Sequence, residues 1–494
     1  MAASSAQPSF LATRRGKFTL VLLAAVGFLD FVDASIVNIA LPHIRSDLHF
    51  SVQDLQWVLS GYLLTYGGFM LLGGRVADLL GRRRVLVGGT VLFAVSSLVG
   101  GFAGSPGVLV GARLTQGLGA ALMMPAALSL LTTLFKEGPD RTKALGIWGG
   151  VAGLASAAGV FLGGVLSEGP GWRWVLFVNP PISVFLLVAI FWLLPGERRR
   201  ARVANFDILG TTLVTGGMLL LVFALVKAPD QGWGSGRTIG ELAGAGALLA
   251  LFVINEQRIR NPLVPLSIFR IRGLGAADVT QLIGVGGFVT MFFFLTLYMQ
   301  NVLGYSPLQT GSSYLPLTVG VGISAGISTQ LIGRIGTRPV IVAGALITAG
   351  GLYYLSRIPV DGSYLTDLLP GLMIVSLGIG GVFVATTTAA NAGVPADKAG
   401  LAAALVNASQ QVGGALGLAI FSAIATSRTN HLLASGMPAG RALTSGFHRA
   451  LLAAGIFLLA AAIVALRTRN VRGEALHAAT GSEAATEVAT PAAV

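Results

Sequence analysis

The sequence predicts an all-α integral membrane protein with about fourteen transmembrane helices, and three observations carry that prediction. Only 11% of the 494 residues are charged and 54% are hydrophobic, with a mean hydropathy of +0.78. A soluble domain carries about 25% charged residues. Apolar runs of roughly 20 residues, the length that crosses a hydrocarbon core ~30 Å thick, recur along the whole chain. The cations between the runs alternate. Twenty-four of the thirty-three Lys and Arg fall at or beyond span ends on one side, eight on the other, and Arg113 alone lies well inside a run.

Residues 1–17 end in Arg14, Arg15 and Lys17 and read as a cytoplasmic N-terminus. The run 18–40 is too long for a signal peptide and holds Asp30 and Asp33, so it reads as an uncleaved first helix. The second span, 54–73, and the third, 84–104, flank a short, charged, glycine-punctuated stretch, Gly73 to Arg84. The fourth, 107–134, carries Arg113, and the fifth, 142–166, is rich in Gly and Ala. The sixth, 174–194, begins beside Trp172 and Trp174, which suit a membrane interface. These six make an N-terminal half, 18–195. Residues 196–271 read as a linker with two inserted spans, near 207–227 and 238–255. The last six, near 274–300, 308–332, 338–357, 365–390, 399–426 and 446–466, make a C-terminal half, 272–470. Residues 471–494 have no apolar period and are expected to form a disordered cytoplasmic tail.

The cation-rich side is cytoplasmic by the positive-inside rule, and an even number of spans puts both termini there. The net charge of +13 is thus a topology signal whose contact is anionic lipid rather than nucleic acid. The 68 glycines suit close helix packing in a bilayer. The absence of cysteine excludes disulfides and cysteine metal sites. The five histidines show no metal-ligand spacing on one helix, and no phosphate-cradling loop or nucleophile–base set stands out. A metal, ATP coupling and an enzyme activity are therefore not expected.

The chemistry-bearing residues are the polar groups inside spans. Asp30 and Asp33 are three apart on one face of the first helix. A carboxylate at that depth is a functional candidate by default, and two acids in one low-dielectric site suit a proton carrier. The alternative is a cap or a pair with a neighbouring helix. Arg113 must face the interior and find acceptors. It shares a stripe with Gly117, Ala120 and Met124, bordered by Gln116; backbone carbonyls are its structural alternative. Asn407, Gln410 and Gln411 form a polar stripe on the thirteenth span, which fits a cavity and helix–helix hydrogen bonds equally. Asp278 and Gln281 share a face of the ninth, where Asp278 is expected to pair with Arg272.

Several motifs resemble one family. Gly74, Asp78, Gly81, Arg82 and Arg83 match the loop between the second and third helices of the major facilitator superfamily. Gly333 to Arg338 is a degraded echo of that loop in the second half. Asp33, five residues before Asn38 and followed by Ala40-Leu41-Pro42, resembles the first-helix signature of the superfamily's fourteen-helix drug:proton antiporter branch. Ser35 stands in place of the usual Thr, and Asp30 is an extra acid. Leu109 to Ala121 matches the fourth-helix motif almost residue for residue. Gly159, Gly163 and Gly164 resemble the fifth-helix exporter motif, with Val160 where that motif has proline. Trp172 to Pro181 and Tyr298 to Pro316 resemble other signatures of the branch.

The resemblance implies the major facilitator fold, two six-helix halves plus two inserted helices. It implies a proton-coupled antiporter that exports small hydrophobic drugs or antibiotics across a bacterial plasma membrane. Such a protein works as a monomer, driven by the proton-motive force with no cofactor. Its partners are small lipophilic substrates, protons and membrane lipids. Protons would load on Asp33, shared with Asp30, and Arg113 would help release them. Gln116, Met123, Met124, Tyr298, Gln300, Asn407, Gln410 and Gln411 would line the substrate cavity. Gly74, Asp78, Gly81, Arg82 and Arg83 would form a gating loop. Gly117, Gly159, Gly163 and Gly164 would pack helices. Two rival readings are an uptake carrier or facilitator for a metabolite and a non-transporting sensor or assembly protein. The first needs more polar residues in the cavity; the second does not need intramembrane Asp30, Asp33 and Arg113 together.

Overall fold

The computed structural model describes residues 10–135, 139–195, 207–260, 262–392, 394–395 and 398–472, and every regular element among them is helical. The long helices are α1 (Arg14–Leu48), α2 (Trp57–Leu80), α3 (Arg82–Gly101), α4 (Pro106–Leu134), α5 (Pro139–Glu168), α6 (Asn179–Leu193), α7 (Ile208–Gln231) and α8 (Gly236–Arg258). They continue with α9 (Leu274–Asn301), α10 (Leu315–Ile335), α11 (Thr337–Leu355), α12 (Leu369–Asn391), α13 (Ala399–Ala434) and α14 (Ala439–Ala465). Some are lengthened by short leading helices, such as Trp174–Phe177 before α6 and Pro307–Ser313 before α10. By length and composition, thirteen of these spans can cross a membrane. The remaining one is α5, 30 residues long, whose apolar stretch among the described residues is Leu154–Glu168. The tail beyond Arg472 and the first part of the linker, residues 196–206 with Arg198, Arg199, Arg200 and Arg202, lie outside the described residues.

Local chemistry sets the ends. Thr13 caps α1 by accepting from the Gly16 amide, and His49 closes it in the left-handed region at φ 59°. The stretch Gly73 to Arg84 is not the loop that its glycines suggest. Helix α2 runs through Gly74 and Asp78 to Leu80, because Val76, Ala77, Leu79 and Leu80 continue its apolar pattern. The turn is Gly81 alone, at φ 103°, a conformation that favours glycine. Gly336, at φ 92°, makes the same one-residue turn between α10 and α11.

The packing repeats as well. In the first half α1 packs on α5 and α6, α2 on α4, and α3 on α4 and α6. In the second, α9 packs on α13 and α14, α10 on α12, and α11 on α12 and α14. Each helix of the first list maps onto the helix eight places later, which is a parallel repeat. The halves meet where α1 packs on α9, α2 on α13, and α5 on α10 and its leading helix. Gly164 approaches Pro307 and Leu308 there, and Gly311 approaches the Val160 carbonyl. The inserted α7 lies over the α2–α13 seam, with Val222 and Val226 packed among Leu64, Ala415 and Ala419. Helix α8 packs chiefly on α7.

Both described chain ends lie on one face. Arg15 donates to the Leu193 carbonyl at 3.0 Å, and Arg338 donates to the Thr468 carbonyl at 2.7 Å. At the other face hydrogen bonds join the halves. Asn38 Nδ2 donates to Thr296 Oγ1 at 3.1 Å, Gln300 Nε2 to the Ile39 carbonyl at 2.9 Å, and the Leu308 amide to Glu168 Oε2 at 3.0 Å.

Close backbone approach makes a testable demand on α9 and α13. A Cβ at Gly417 would collide with the Gly286 backbone, and one at Gly413 with the Leu282 backbone. Gly417→Val is expected to destabilise the protein by about 1–3 kcal/mol, the usual cost of overpacking. Gly111→Ala, with no atom within 4 Å of the added Cβ, should leave stability unchanged. Thermal melting of the two variants in detergent checks this; equal melting would mean that the α9–α13 contact is loose.

Candidate functional site

Helix α1 carries Asp30 and Asp33 into the interior of the first half, where they are 2% and 0% exposed. Helix α4 brings Arg113, 1% exposed, to the same level. Glycines allow the approach. A Cβ at Gly117 would strike the Tyr62 carbonyl and Thr65 of α2, and Cβ atoms at Gly159 and Gly163 would strike Ser35 and Ile36 of α1. Thr65 Oγ1 also donates to the Leu114 carbonyl at 2.8 Å, fastening α2 to α4.

The result is a closed polar network in an apolar bundle. Arg113 Nη1 donates to Asp33 Oδ2 at 2.6 Å and to Gln116 Oε1 at 2.7 Å. Arg113 Nε donates to the Val58 carbonyl at 3.0 Å. Gln116 Nε2 and Asn179 Nδ2 both donate to Asp33 Oδ1, at 2.9 and 2.6 Å. Asn179 also donates to Ser97 Oγ at 2.9 Å. Each buried ion forfeits several kcal/mol of hydration, so the pair persists only with such added donors and acceptors. Arg113 Nη2 is buried without a partner.

The two aspartates do not share one set of donors. Asp30 accepts from Tyr62 Oη at 2.6 Å and from Tyr66 Oη at 3.1 Å. The link between the two sets is the Tyr62 ring, whose centroid lies 4.3 Å from Arg113 Cζ. Arg113 thus meets both a carboxylate and a backbone carbonyl.

The other expected site residues are dispersed. Met123 and Tyr298 do not line a cavity; both are fully buried in packed clusters. Met123 sits where α4 meets Gly89 of α3, and the Tyr298 hydroxyl donates to the Pro359 carbonyl. Met124 is buried in the same cluster as Met123. Gln300 bridges the halves through Ile39. Asn407, Gln410 and Gln411 are half-buried on α13, where Asn407 Nδ2 donates to the Ala403 carbonyl at 3.0 Å and the Gln411 Cβ faces Gly67. Asp278 does not pair with Arg272. Gly273, at φ 88°, turns the chain before α9, leaving Arg272 exposed while Asp278 faces inward with neither oxygen partnered. Both polar atoms of Gln281, one turn away, are buried and unpartnered too.

At the α2–α3 turn, Arg82 meets Asp78 at 3.3 Å and donates to the Thr133 hydroxyl. Arg83 donates to the Phe191 carbonyl at 3.1 Å. Gly74 meets only Pro125 at ordinary contact distance, whereas Gly73 lies against the Ala121 carbonyl and has no room for a side chain. Among the described residues no cluster of His, Asp or Glu has the arrangement of a metal site.

Sequence reasoning missed Tyr62, Tyr66, Ser97 and Asn179. Tyr62 and Tyr66 did leave a signal, two hydroxyls four residues apart in an apolar span. Asn179 opens the Asn-Pro-Pro run that precedes the sixth span.

Comparison with known proteins bears on this arrangement. The sequence pattern of the Major Facilitator Superfamily matches residues 23–418. A puromycin resistance protein of Streptomyces alboniger is 41% identical over 420 residues, covering 84% of this chain and 83% of that protein. A cephamycin export protein of Amycolatopsis lactamdurans is 39% identical over 449 residues, covering 90% and 91%. Among solved structures, a bacterial homologue of the human lysosomal transporter Spinster, inward-facing and occupied, aligns with a TM-score of 0.62 at 16% identity, covering 92% and 97% of the two chains. A POT-family peptide transporter in complex with sulfate aligns at 0.65 and 17%, covering 91% and 95%. At such identities the solved structures speak for the fold alone. The repeated halves, the matched span and these relatives agree that the chain, a multi-pass membrane transporter and not an enzyme, belongs to the major facilitator superfamily.

Proposed function

We propose that the protein exports small, lipophilic, antibiotic-like compounds across a bacterial plasma membrane in exchange for protons, with both termini in the cytoplasm. The observation that carries the exchange is the fully buried Asp33–Arg113 pair. The relatives named for puromycin resistance and cephamycin export support the substrate class. A proton arriving from the face opposite the termini binds Asp33 and neutralises it. Arg113 then keeps Gln116 and the Val58 carbonyl but loses its counter-charge. Because α1, α2, α3, α4 and α6 all contribute to the network, its charge state biases how the first half sits against the second. Loss of the proton to the cytoplasm restores the pair. Asp30, held by its two tyrosines, tunes the neighbouring field. Substrate binds between the halves, near the half-buried Asn407, Gln410 and Gln411, with Gln300 at the closed end, while Gln116 and Met124, buried here, stay with the network and its packed cluster. The hydrogen bonds joining the halves on the face away from the termini support a cavity that opens toward the terminal face. There Asp78 and Arg82 brace the α2–α3 turn as the gate moves.

In proteoliposomes, Asp33→Asn is expected to abolish substrate-driven proton release while the protein stays folded in the membrane. Asp30→Asn, whose amide oxygen still accepts from a tyrosine, should lose less. Wild-type coupling in Asp33→Asn would remove that carboxyl from the mechanism.

Arg113→Lys should also fail, by at least about tenfold in efflux, or ~1.4 kcal/mol. One ammonium cannot reproduce the fork that reaches Asp33, Gln116 and Val58 together. Normal efflux by the lysine variant would reduce Arg113 to a charge.

Orientation is open to direct labelling, since the chain has no cysteine. Gly234→Cys, in the α7–α8 turn, should react with an impermeant maleimide added to intact cells. Gly333→Cys, on the last turns of α10, should react only after permeabilisation. The reverse pattern would invert the topology.

A further inference from the structure

The turn between α7 and α8 meets α13 and α14, on the face opposite the termini, in an open cleft of ≈ 430 Å³. Its walls are Trp233, Ile424, Ser427, Arg428, His431 and Arg449. Cations are scarce on this face, and several are paired. Arg173 meets Asp47 at 2.6 Å, Lys227 meets Asp54 at 2.6 Å, and Arg237 meets Glu241 at 2.9 Å. Arg428 and Arg449 have no carboxylate within ion-pair distance among the described residues, yet both line one cleft. Arg428 Nε donates to Ser445 Oγ at 3.2 Å, which fixes the side chain against α14 and leaves the terminal guanidinium nitrogens to another acceptor.

Helix length sets the depth of the cleft. Helix α13 has 36 residues and α14 has 27. At 1.5 Å per residue they span ~54 and ~40 Å, against a hydrocarbon core of ~30 Å, so their ends overrun the core. Arg428 lies ~9 Å from the end of α13 and Arg449 ~15 Å from the start of α14. Arg428 therefore falls near headgroup level, where the exposed Trp233 is also at home, and the exposed Arg449, several ångströms deeper, reaches that level with its long side chain. The cleft has room for roughly a dozen waters at ~30 Å³ each, far more than a bare phosphate fills.

We propose that this cleft binds a phosphodiester headgroup, that of an anionic lipid in the leaflet opposite the termini. Arg428 and Arg449 pair with the phosphate oxygens, since guanidinium groups bond phosphate in forked geometry. Trp233 and Ile424 cover the glycerol and the first methylenes. Because one wall comes from the inserted pair and the other from the second half, the bound lipid joins the two. The site is separate from the Asp33 network and does not depend on proton coupling.

A photoactivatable phosphatidylglycerol in nanodiscs of otherwise zwitterionic lipid tests this. Mass spectrometry of the cross-linked wild-type protein should find lipid on peptides containing Trp233 or residues 424–449. Arg428→Gln with Arg449→Gln should cut that cross-link at least fivefold, while cross-links at the arginine-rich terminal face persist as an internal control. Arg237→Gln, whose partner is Glu241, should change nothing. Should the double variant not fold, the exposed Arg449→Gln alone is read in the same way. Excess glycerol 3-phosphate separates the sources. If it leaves the cross-link intact, the lipid is the ligand; if it displaces the cross-link, the same phosphate site is filled from solution. An unchanged cross-link in the arginine variants would overturn the proposal.

Discussion

A guanidinium and a carboxylate taken out of water together are stable only if nearly every donor and acceptor is met, and Arg113 and Asp33 impose that condition on the first half. Five helices supply partners. To reach them, α2 must come against α4, which a small residue at Gly117 permits, and Gly159 and Gly163 let α5 close on the far side of α1. Glycine at position 117, a weakness in a soluble helix, thus follows from the ion pair as much as from the bilayer. The second half repeats the packing without the chemistry. Helix α12, which occupies the place of α4, carries no charged residue between Leu369 and Asn391. Helix α9, in the place of α1, holds the solitary Asp278 near its terminal-face end. Architecture is duplicated, whereas among the described residues the buried ion pair is confined to one copy.

Much of this was legible in the sequence because a bilayer makes simple demands. Apolar length marks each span, and cation placement marks each face. Asp33, Arg113 and Gln116 stood out because burying them needs a reason. Other parts were hidden for a physical cause. Position along a helix gives depth but not the neighbour it faces, so Met123 and Tyr298 seemed able to reach a cavity and instead pack against α3 and Pro359. Tyrosine and asparagine cost less to bury than a charge, so Tyr62, Tyr66 and Asn179 passed as ordinary members of their spans. Glycines at Gly73 and Gly74 looked like a loop, yet one left-handed residue, Gly81, makes the whole turn. Asp278 seemed close to Arg272 in sequence, but Gly273 turns the chain between them.

The two seams between the halves are not alike. Where α2 meets α13, α7 lies across both, held to the first half by Lys227–Asp54 and to the second by its apolar contact with Ala415 and Ala419. Where α5 meets α10, no inserted helix among the described residues covers the joint, and Val319, Ile323 and Ile327 of α10 stay exposed. One seam is splinted and the other bare. Any rocking of the halves would have to carry α7 along at the first seam, whereas the second is held by the Gly164 and Gly311 contacts and the Leu308–Glu168 hydrogen bond. A lipophilic molecule dissolved in the bilayer consequently meets two unlike flanks, one faced by a third helix and the other showing the joint of the halves itself.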